Sequence, residues 1–290
     1  MTDITAAARF LAASGRVLDR RRFERLFENG PTEPVVAAVA AYRNDDGGFG
    51  HGLEPDGRTP ASQPAAVQLA LRTLDEAGAW DEALVAGALD WLERTAPPEG
   101  GTAFVLPTVE GWPHAPWWQP EPGPPASLIT TGAIAGTLHA RGADHPWLHK
   151  ATTWLWSRVD DLDKVGPYDL RGLLAFLDTV PDRDRAAKAL VDVGARFFDT
   201  NLVALDPDAT GEVHGPLDYA PRPGSIARSL FDEATIAAHL DRLAAGQRED
   251  GGWTFNWPAW SPAAEADWRG SLTVDNLETL RANGALATSG

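Results

Sequence analysis

Arg43-Asn44-Asp45-Asp46-Gly47-Gly48-Phe49-Gly50 and Gln247-Arg248-Glu249-Asp250-Gly251-Gly252-Trp253 are two versions of one short text. Each runs from polar residues through an acidic residue and a Gly-Gly pair to an aromatic ring, and each follows an apolar helical pattern. Self-similarity of this kind decides architecture before any chemistry is argued. A weaker third version, Pro98-Glu99-Gly100-Gly101-Thr102-Ala103-Phe104, follows the helical run that ends Trp91-Leu92-Glu93-Arg94. Acidic, glycine-containing turns at Asp160-Asp161-Leu162-Asp163-Lys164-Val165-Gly166 and Asp206-Pro207-Asp208-Ala209-Thr210-Gly211 fall between. The implied spacing, roughly 40–60 residues, is that of a helical hairpin with its loop.

Working outward from these turns, helical periodicity covers most of the chain. It predicts helices over 3–14, 16–28, 33–43, 62–77, 81–95, 127–141, 145–158, 167–179, 182–202, 231–245 and 266–283. Thr2 or Asp3 is placed to cap the first, and Gly78, Gly142, Gly246 and Gly284 stand where helices end. Alternating period-two runs are nearly absent, and Thr102 to Thr108 is the best candidate strand. About 10–12 helices joined by alternating short and long connections read as stacked hairpins. Because a copy of the turn near one end of the sequence matches one near the other, we expect an all-α, single-domain α/α toroid (barrel) over 1–290. Inner helices would line a cavity and the long loops would gather at one mouth.

Composition narrows the function classes. Of the 290 residues 43% are hydrophobic, and the net charge is −16, which repels phosphate backbones and anionic lipid heads. The basic cluster Arg16, Arg20, Arg21, Arg22 and Arg25 is interleaved with Leu18, Phe23, Leu26 and Phe27, and reads as the solvated face of an amphipathic helix. No nucleic-acid partner is expected. No apolar run approaches the roughly 18 residues of a membrane span, and Met1 to Phe10 lack the pattern of a secretory signal. The expectation is a cytoplasmic protein. With no cysteine there is no disulfide, thiol nucleophile or thiolate metal site.

The unusual residues lie in four long loops, 44–61, 96–126, 205–224 and 247–267. Loops longer than about 12–15 residues in a compact domain are usually functional or disordered, and aromatic-rich ones argue against disorder. The first brings His51, Glu54, Asp56 and Arg58 together among glycines that let the backbone approach a ligand. A carboxyl walled in by aromatics has a raised pKa and can act as a general acid. Glu54, Asp56 and His51 are therefore the catalytic candidates, against the alternative that the acids cap helices or pair with Arg58. Their spacing matches no compact metal site, so no metal or cofactor is expected and activity should survive chelation. Trp257, Trp260 and Trp253, with Trp117 and Trp118, are candidate substrate-binding rings, suited to cations or to sugar faces. The alternative is a hydrophobic plug, which we favour for Trp268. Asp218, Tyr219 and Arg222 form a weaker third group.

The stretch Gln247-Arg248-Glu249-Asp250-Gly251-Gly252-Trp253 resembles the QW motif of squalene–hopene and oxidosqualene cyclases. Asp45-Asp46-Gly47-Gly48-Phe49 is similar to the turns of terpene cyclases and protein prenyltransferase β-subunits. The whole chain resembles the single-domain bacterial squalene-cyclase-like or prenyltransferase-like α/α toroids. In such turns the resemblance implies that the glutamine and glycines cap helices while the aromatic packs on the next hairpin. The catalytic motifs of those enzymes are missing. Asp160-Asp161-Leu162-Asp163 is not Asp-x-Asp-Asp, Asp160, Asp161 and Lys164 do not make Asp-Asp-x-x-Asp, and a zinc set of Asp, Cys and His needs a cysteine.

Three functions follow as expectations. The leading one is a terpene-cyclase-like enzyme that binds an apolar, prenylated or polyene small molecule and carries out an acid-initiated cyclisation or isomerisation; the acid step is what the resemblance implies. The second is a carbohydrate-active enzyme with paired carboxylates, Glu54 or Asp56 against Asp250 or Glu265. The third is a toroid that binds a small molecule or protein without catalysis.

Overall fold

The computed structural model describes residues 2–159, 162, 165–199 and 202–286. The acidic turn read at Asp160, Asp161, Asp163 and Lys164 lies outside them, as do residues 200 and 201 of the helix expected over 182–202; Leu202 itself is not helical. Among the described residues the protein is all-helical, with twelve α-helices, two short 3-10 turns and no strand; Thr102 to Thr108 is irregular chain ending in a 3-10 turn. The only bridges among these residues are isolated ones, Arg43 with Phe49 and Gly57 with His114. No described helix is long and apolar enough to cross a membrane.

The helices are α1 (Ile4–Ser14), α2 (Val17–Phe27), α3 (Glu33–Ala40), α4 (Pro64–Glu76), α5 (Glu82–Thr95) and α6 (Leu128–Ala140). Then come α7 (Pro146–Val159), α8 (Pro167–Thr179), α9 (Arg183–Asp199), the single turn α10 (Pro216–Tyr219), α11 (Glu233–Ala245) and α12 (Pro262–Ala282). Local chemistry sets their ends. Asp3, Asp81, Asp232 and Ser261 each accept a first-turn amide at α1, α5, α11 and α12. Proline opens α4, α8, α10 and α12, where its missing N–H costs nothing. The capping by Ser261 and the proline after it start α12 four residues before periodicity alone does. Gly246, expected as a left-handed helix end, keeps an ordinary φ of −75°.

The chain divides into two compact units, Met1–Pro31 with Gly194–Gly290, and Thr32–Val193. In the second unit alternate helices pack together, α4 on α6 and α6 on α8, while α5 packs on α7. Helix α6 has no polar face, as befits a helix enclosed on several sides. Its approach to α8 is close enough that a Cβ on Gly132 would lie 2.1 Å from the Gly172 carbonyl oxygen.

In the first unit α1 and α2 pack on each other and both pack on α12. Ala7, Phe10, Leu11 and Phe23 share one core with Trp253, Val274, Leu277 and Leu280. This arrangement corrects the reading of the arginine cluster as a solvated face. Arg22 is only 1% exposed, and its guanidinium reaches Asp275 at 2.6 Å and the fully buried Asp19 at 3.8 Å. With α1 and α12 both against α2, only carboxylates at the contact make a buried arginine tolerable.

The repeated turn is the same object in both units. Asn44 N–H donates to Gly48 O at 2.9 Å, Gly47 N–H to Asn44 O at 3.0 Å, and Gly48 N–H to Asp46 Oδ1 at 2.9 Å. Arg248 to Gly252 O (2.8 Å), Gly251 to Arg248 O (2.9 Å) and Gly252 to Asp250 Oδ1 (3.0 Å) repeat that set bond for bond. The first glycine has φ of 89° in one copy and 95° in the other. In both, its missing Cβ faces a helix carbonyl: Gly87 O at 2.5 Å from Gly47, Ala6 O at 2.2 Å from Gly251. Gln247 completes the second copy by accepting Asp3 N–H at 2.7 Å and donating to Asp3 O at 2.8 Å, which fastens the turn to the cap of α1.

The third copy is also real, in a shifted frame. Gly100 has φ of 95° and donates to Pro97 O at 3.0 Å. Ser127 N–H donates to Thr102 O at 2.8 Å as Gln63 N–H does to Phe49 O at 2.8 Å. Thr102, not Phe104, therefore stands in the aromatic position.

Gly251→Ala combines an unfavourable φ with a backbone clash and should lower unfolding free energy in urea by about 3 kcal/mol or more. Gly211→Ala, at φ of 89° with nothing within 4 Å, should cost about 1 kcal/mol. Equal costs would contradict the packing role of the turn.

Candidate functional site

The first long loop leaves the turn and folds back on itself. Gly50 N–H donates to Tyr42 O at 3.0 Å and His51 N–H to Thr59 O at 2.9 Å, with His51 at φ of 56°. His51 is exposed, and its Nε2 meets Asn44 Oδ1 at 2.9 Å. Asn44 also donates to Pro60 O and Ser62 Oγ, both at 2.9 Å. Two of the catalytic candidates come together here. Glu54 Oε2 accepts the Asp56 N–H at 2.7 Å, closing a short turn that sets the direction of Asp56. Asp56 itself is 6% exposed.

The second long loop is clamped onto the first. Ala115 N–H donates to Asp56 O at 2.7 Å, Arg58 N–H to Pro113 O at 2.9 Å, and Gly57 bridges His114. Thr59 Oγ1 donates to Thr108 O at 3.1 Å. The buried Gln63 amide joins both sides again, donating to Thr108 Oγ1 and accepting Leu106 N–H, each at 2.8 Å. Gly57 is needed because a Cβ there would sit 2.4 Å from Trp118 Cζ3.

Two adjacent tryptophans finish the site and behave oppositely. Trp117 is 40% exposed, yet its Nε1 donates to Asp56 Oδ2 at 2.9 Å, so the edge of the ring is fixed against a buried carboxyl. Trp118 is 2% exposed and meets Phe104 edge-on at 5.8 Å. Trp112, in the same segment, is 48% exposed. Chemically, the pair of loops offers an acidic oxygen enclosed by indole, next to accessible ring faces. Among the described residues no three His, Asp or Glu side chains are grouped to hold a metal ion.

The other candidates stand elsewhere. In the first unit Trp257 stacks on Phe255 at 4.5 Å and meets Trp268 edge-on at 5.4 Å, all three half-buried. Trp260 is half-buried too, and Glu265 is exposed on the first turn of α12. Trp253 does not join that stack. It belongs to the core between α1 and α12, and its Nε1 donates to Leu243 O at 2.8 Å, so the substrate-binding expectation gives way to a packing role.

Tyr219 is likewise a strut. It is buried against Phe197 at 4.5 Å and donates its hydroxyl to Leu202 O at 2.7 Å. Asp218 accepts Gly215 N–H at 2.8 Å as a helix cap, and Arg222 is exposed. The third group is thus not brought together as a site.

Asp46 is the residue that sequence reasoning missed. Beyond Gly48 N–H it accepts Ser62 Oγ at 2.7 Å and Trp91 Nε1 at 3.1 Å, and its carbonyl accepts from Arg94. Its place before Gly-Gly was the available signal. In the matching copy Arg269 Nη2 reaches both oxygens of Asp250 at 2.8 Å. Burial pushes the Asp250 carboxyl up, but the Arg269 and Gly252 hydrogen bonds and the charges of Arg269 and Arg248 outweigh it and hold the group below the usual carboxylate range.

No protein-family model matches the chain, and no curated protein matches it. A crystal structure of a protein from Actinoplanes is similar to it with a TM-score of 0.60 and 16% identity, over 97% of this chain and 100% of that one. At that identity the likeness speaks for the fold alone.

A group whose folded pKa is depressed stabilises the fold above its unfolded pKa, and that contribution is lost as pH falls through the folded value. Asp250→Asn should therefore cost about 0.5–1 kcal/mol at neutral pH, small because the carboxylate is half-exposed. The gap from wild type should close below about pH 4. A gap that is unchanged in acid would show that the Asp250 charge contributes nothing.

Proposed function

We propose that the chain is a single α/α toroid of the terpene-cyclase and prenyltransferase-like kind. In this reading it is an enzyme that binds an apolar small molecule beside the loops 50–63 and 103–118. The QW-like turns support the architecture, as does the packing of α1 and α2 on α12 in one unit and of alternate helices in the other. The observation that carries the functional reading is the buried Asp56 carboxyl, hydrogen-bonded by the N–H edge of the accessible Trp117 ring. Asp56 takes the acid role: protonated on Oδ1, it delivers that proton to a double bond or oxygen of the substrate, and its carboxylate takes one back as the cation is quenched. Glu54 positions it through the Asp56 amide, and His51 buttresses the loop through Asn44. Trp117 and Trp112 present the faces on which an apolar substrate and a developing cation would rest.

A carbohydrate-active reading has one observation in its favour, the exposed Trp117 indole bonded to the Asp56 carboxyl, which also suits a sugar face. Its second carboxylate was expected at Asp250 or Glu265. Asp250 is already paired with Arg269, and Glu265 stands exposed on the first turn of α12.

Incubation with squalene or geranylgeraniol and analysis of the products tests the proposal. Wild type should convert a polyene, and Asp56→Asn should melt within a few degrees of it while turnover falls roughly 10²-fold or more. Conversion that persists in Asp56→Asn would remove Asp56 from the chemistry. Hydrolysis of oligosaccharides with no conversion of either polyene would favour the carbohydrate reading instead.

A further inference from the structure

Helix α9 turns one face to its neighbours and another to solvent, and the solvent face is not polar throughout. Ala186, Ala189, Leu190, Val193 and Phe197 are buried. Away from them, Ala187, Val191, Ala195 and Phe198 recur at helical spacing as an exposed apolar stripe. Val191 is 71% exposed, the highest value of any large hydrophobic side chain among the described residues, and Phe198 is 45% exposed. Single exposed apolar residues mean little, but a continuous stripe rimmed by charge marks a contact surface. The charges at its edge say what it meets. Lys188 and Asp192 flank Val191 on the same side of the stripe, and neither is ion-paired among the described residues. They stand one turn apart with the lysine first, the order in which a pair on one helix gains least. Between 183 and 198 the helix carries four basic and two acidic residues, on a chain whose net charge is −16. Two copies that repel each other elsewhere can therefore approach along α9.

We infer that α9 is the contact between two copies of this chain, packed antiparallel about a two-fold axis at Val191. Such an interface is self-complementary, each residue meeting the one equally far on the other side of the centre. Val191 then meets the partner's Val191, and Ala187 meets the partner's Ala195, small side chains that let the helices come close. Lys188 stands within two residues of facing the partner's Asp192, about 3 Å along the axis, which a lysine side chain spans. The two-fold makes that ion pair twice. Asp184 and Phe198 fall at the ends of the contact, where crossing helices diverge and the carboxylate stays in water. One helix face buries less than the roughly 800 Å² per partner of a standard interface, so the dimer is a weak one, with Kd on the order of micromolar.

The chain has no cysteine, so one introduced thiol reports the symmetry directly. Val191→Cys puts two thiols on the axis, and Val17→Cys, at a position 54% exposed on α2, is the control. Under mild oxidation Val191→Cys should form a disulfide-linked dimer roughly 10-fold or more faster than the control, because only facing residues meet disulfide geometry. Sedimentation of wild type from about 1 to 500 μM should show a monomer–dimer equilibrium. Val191→Asp, at an exposed position, should melt near wild type and weaken the dimer roughly 100-fold or more, since each copy would bury an unpaired charge. Lys188→Glu should weaken it roughly 10-fold, and adding Asp192→Lys should restore it. A monomer at every concentration, or a dimer that Val191→Asp leaves intact, overturns the inference. So does a Val191→Cys crosslink no faster than the control. A double variant as weak as Lys188→Glu overturns the antiparallel pairing.

Discussion

A missing side chain governs this fold. At Gly47 and Gly251 the backbone takes a left-handed turn against a helix carbonyl, leaving no room for a methyl group. Any larger residue would push the turn off its helix, and the acid before the glycine could no longer receive the amide after it. The sequence supplies the same few residues wherever a turn must lie flat on a neighbouring helix, and lets everything around them vary. Asp46 is held by Ser62 and Trp91, whereas Asp250 is held by Arg269, with the backbone pattern unchanged. The third copy keeps the glycines and gives up the aromatic for Thr102, whose N–H reaches the Thr131 hydroxyl as the Trp253 N–H reaches that of Thr273.

Rigidity passes from the turn to the chemistry through a short series of bonds. Phe49 O receives the Gln63 amide, and the Gln63 side chain then reaches Leu106 and Thr108 in the next loop. His51 and Thr59 close the intervening segment, Asp56 O accepts the Ala115 N–H, and the Arg58 N–H donates to Pro113 O. A long segment without secondary structure thus has its polar backbone largely accounted for, as a functional loop on a fixed frame requires. In the other unit the corresponding turn leads to the stack of Phe255, Trp257 and Trp268.

The helices were legible because their signals are local. Apolar periodicity, a capping Asp or Ser and a first-turn proline all act within a few residues. The pairing of turn copies was legible for the same reason, down to the acid and both glycines. What could not be read is whatever depends on distant partners. Arg22 looks like its solvated neighbours until Asp275, more than two hundred positions away, comes beside it. Trp117 and Trp118 are adjacent and chemically alike, and nothing local says that one faces out and the other in. That follows from Asp56 and Gly57, which reach them through the folding of another loop. Tyr219 and Trp253 looked like ligand-facing aromatics because they sit in or beside long loops, but each finds a carbonyl and a hydrophobic wall instead.

Site-resolved amide hydrogen exchange tests most directly whether these irregular segments are the fixed joints of the molecule. The amides of Asn44, Gly48, Arg58, Gln63 and Ala115 lie outside every helix, yet each has a specific acceptor. If the turns hold the site as argued, these amides exchange only through large-scale opening, as slowly as those in α4 and α6. Exchange at the rate of a free loop, while the helices stay protected, would contradict it.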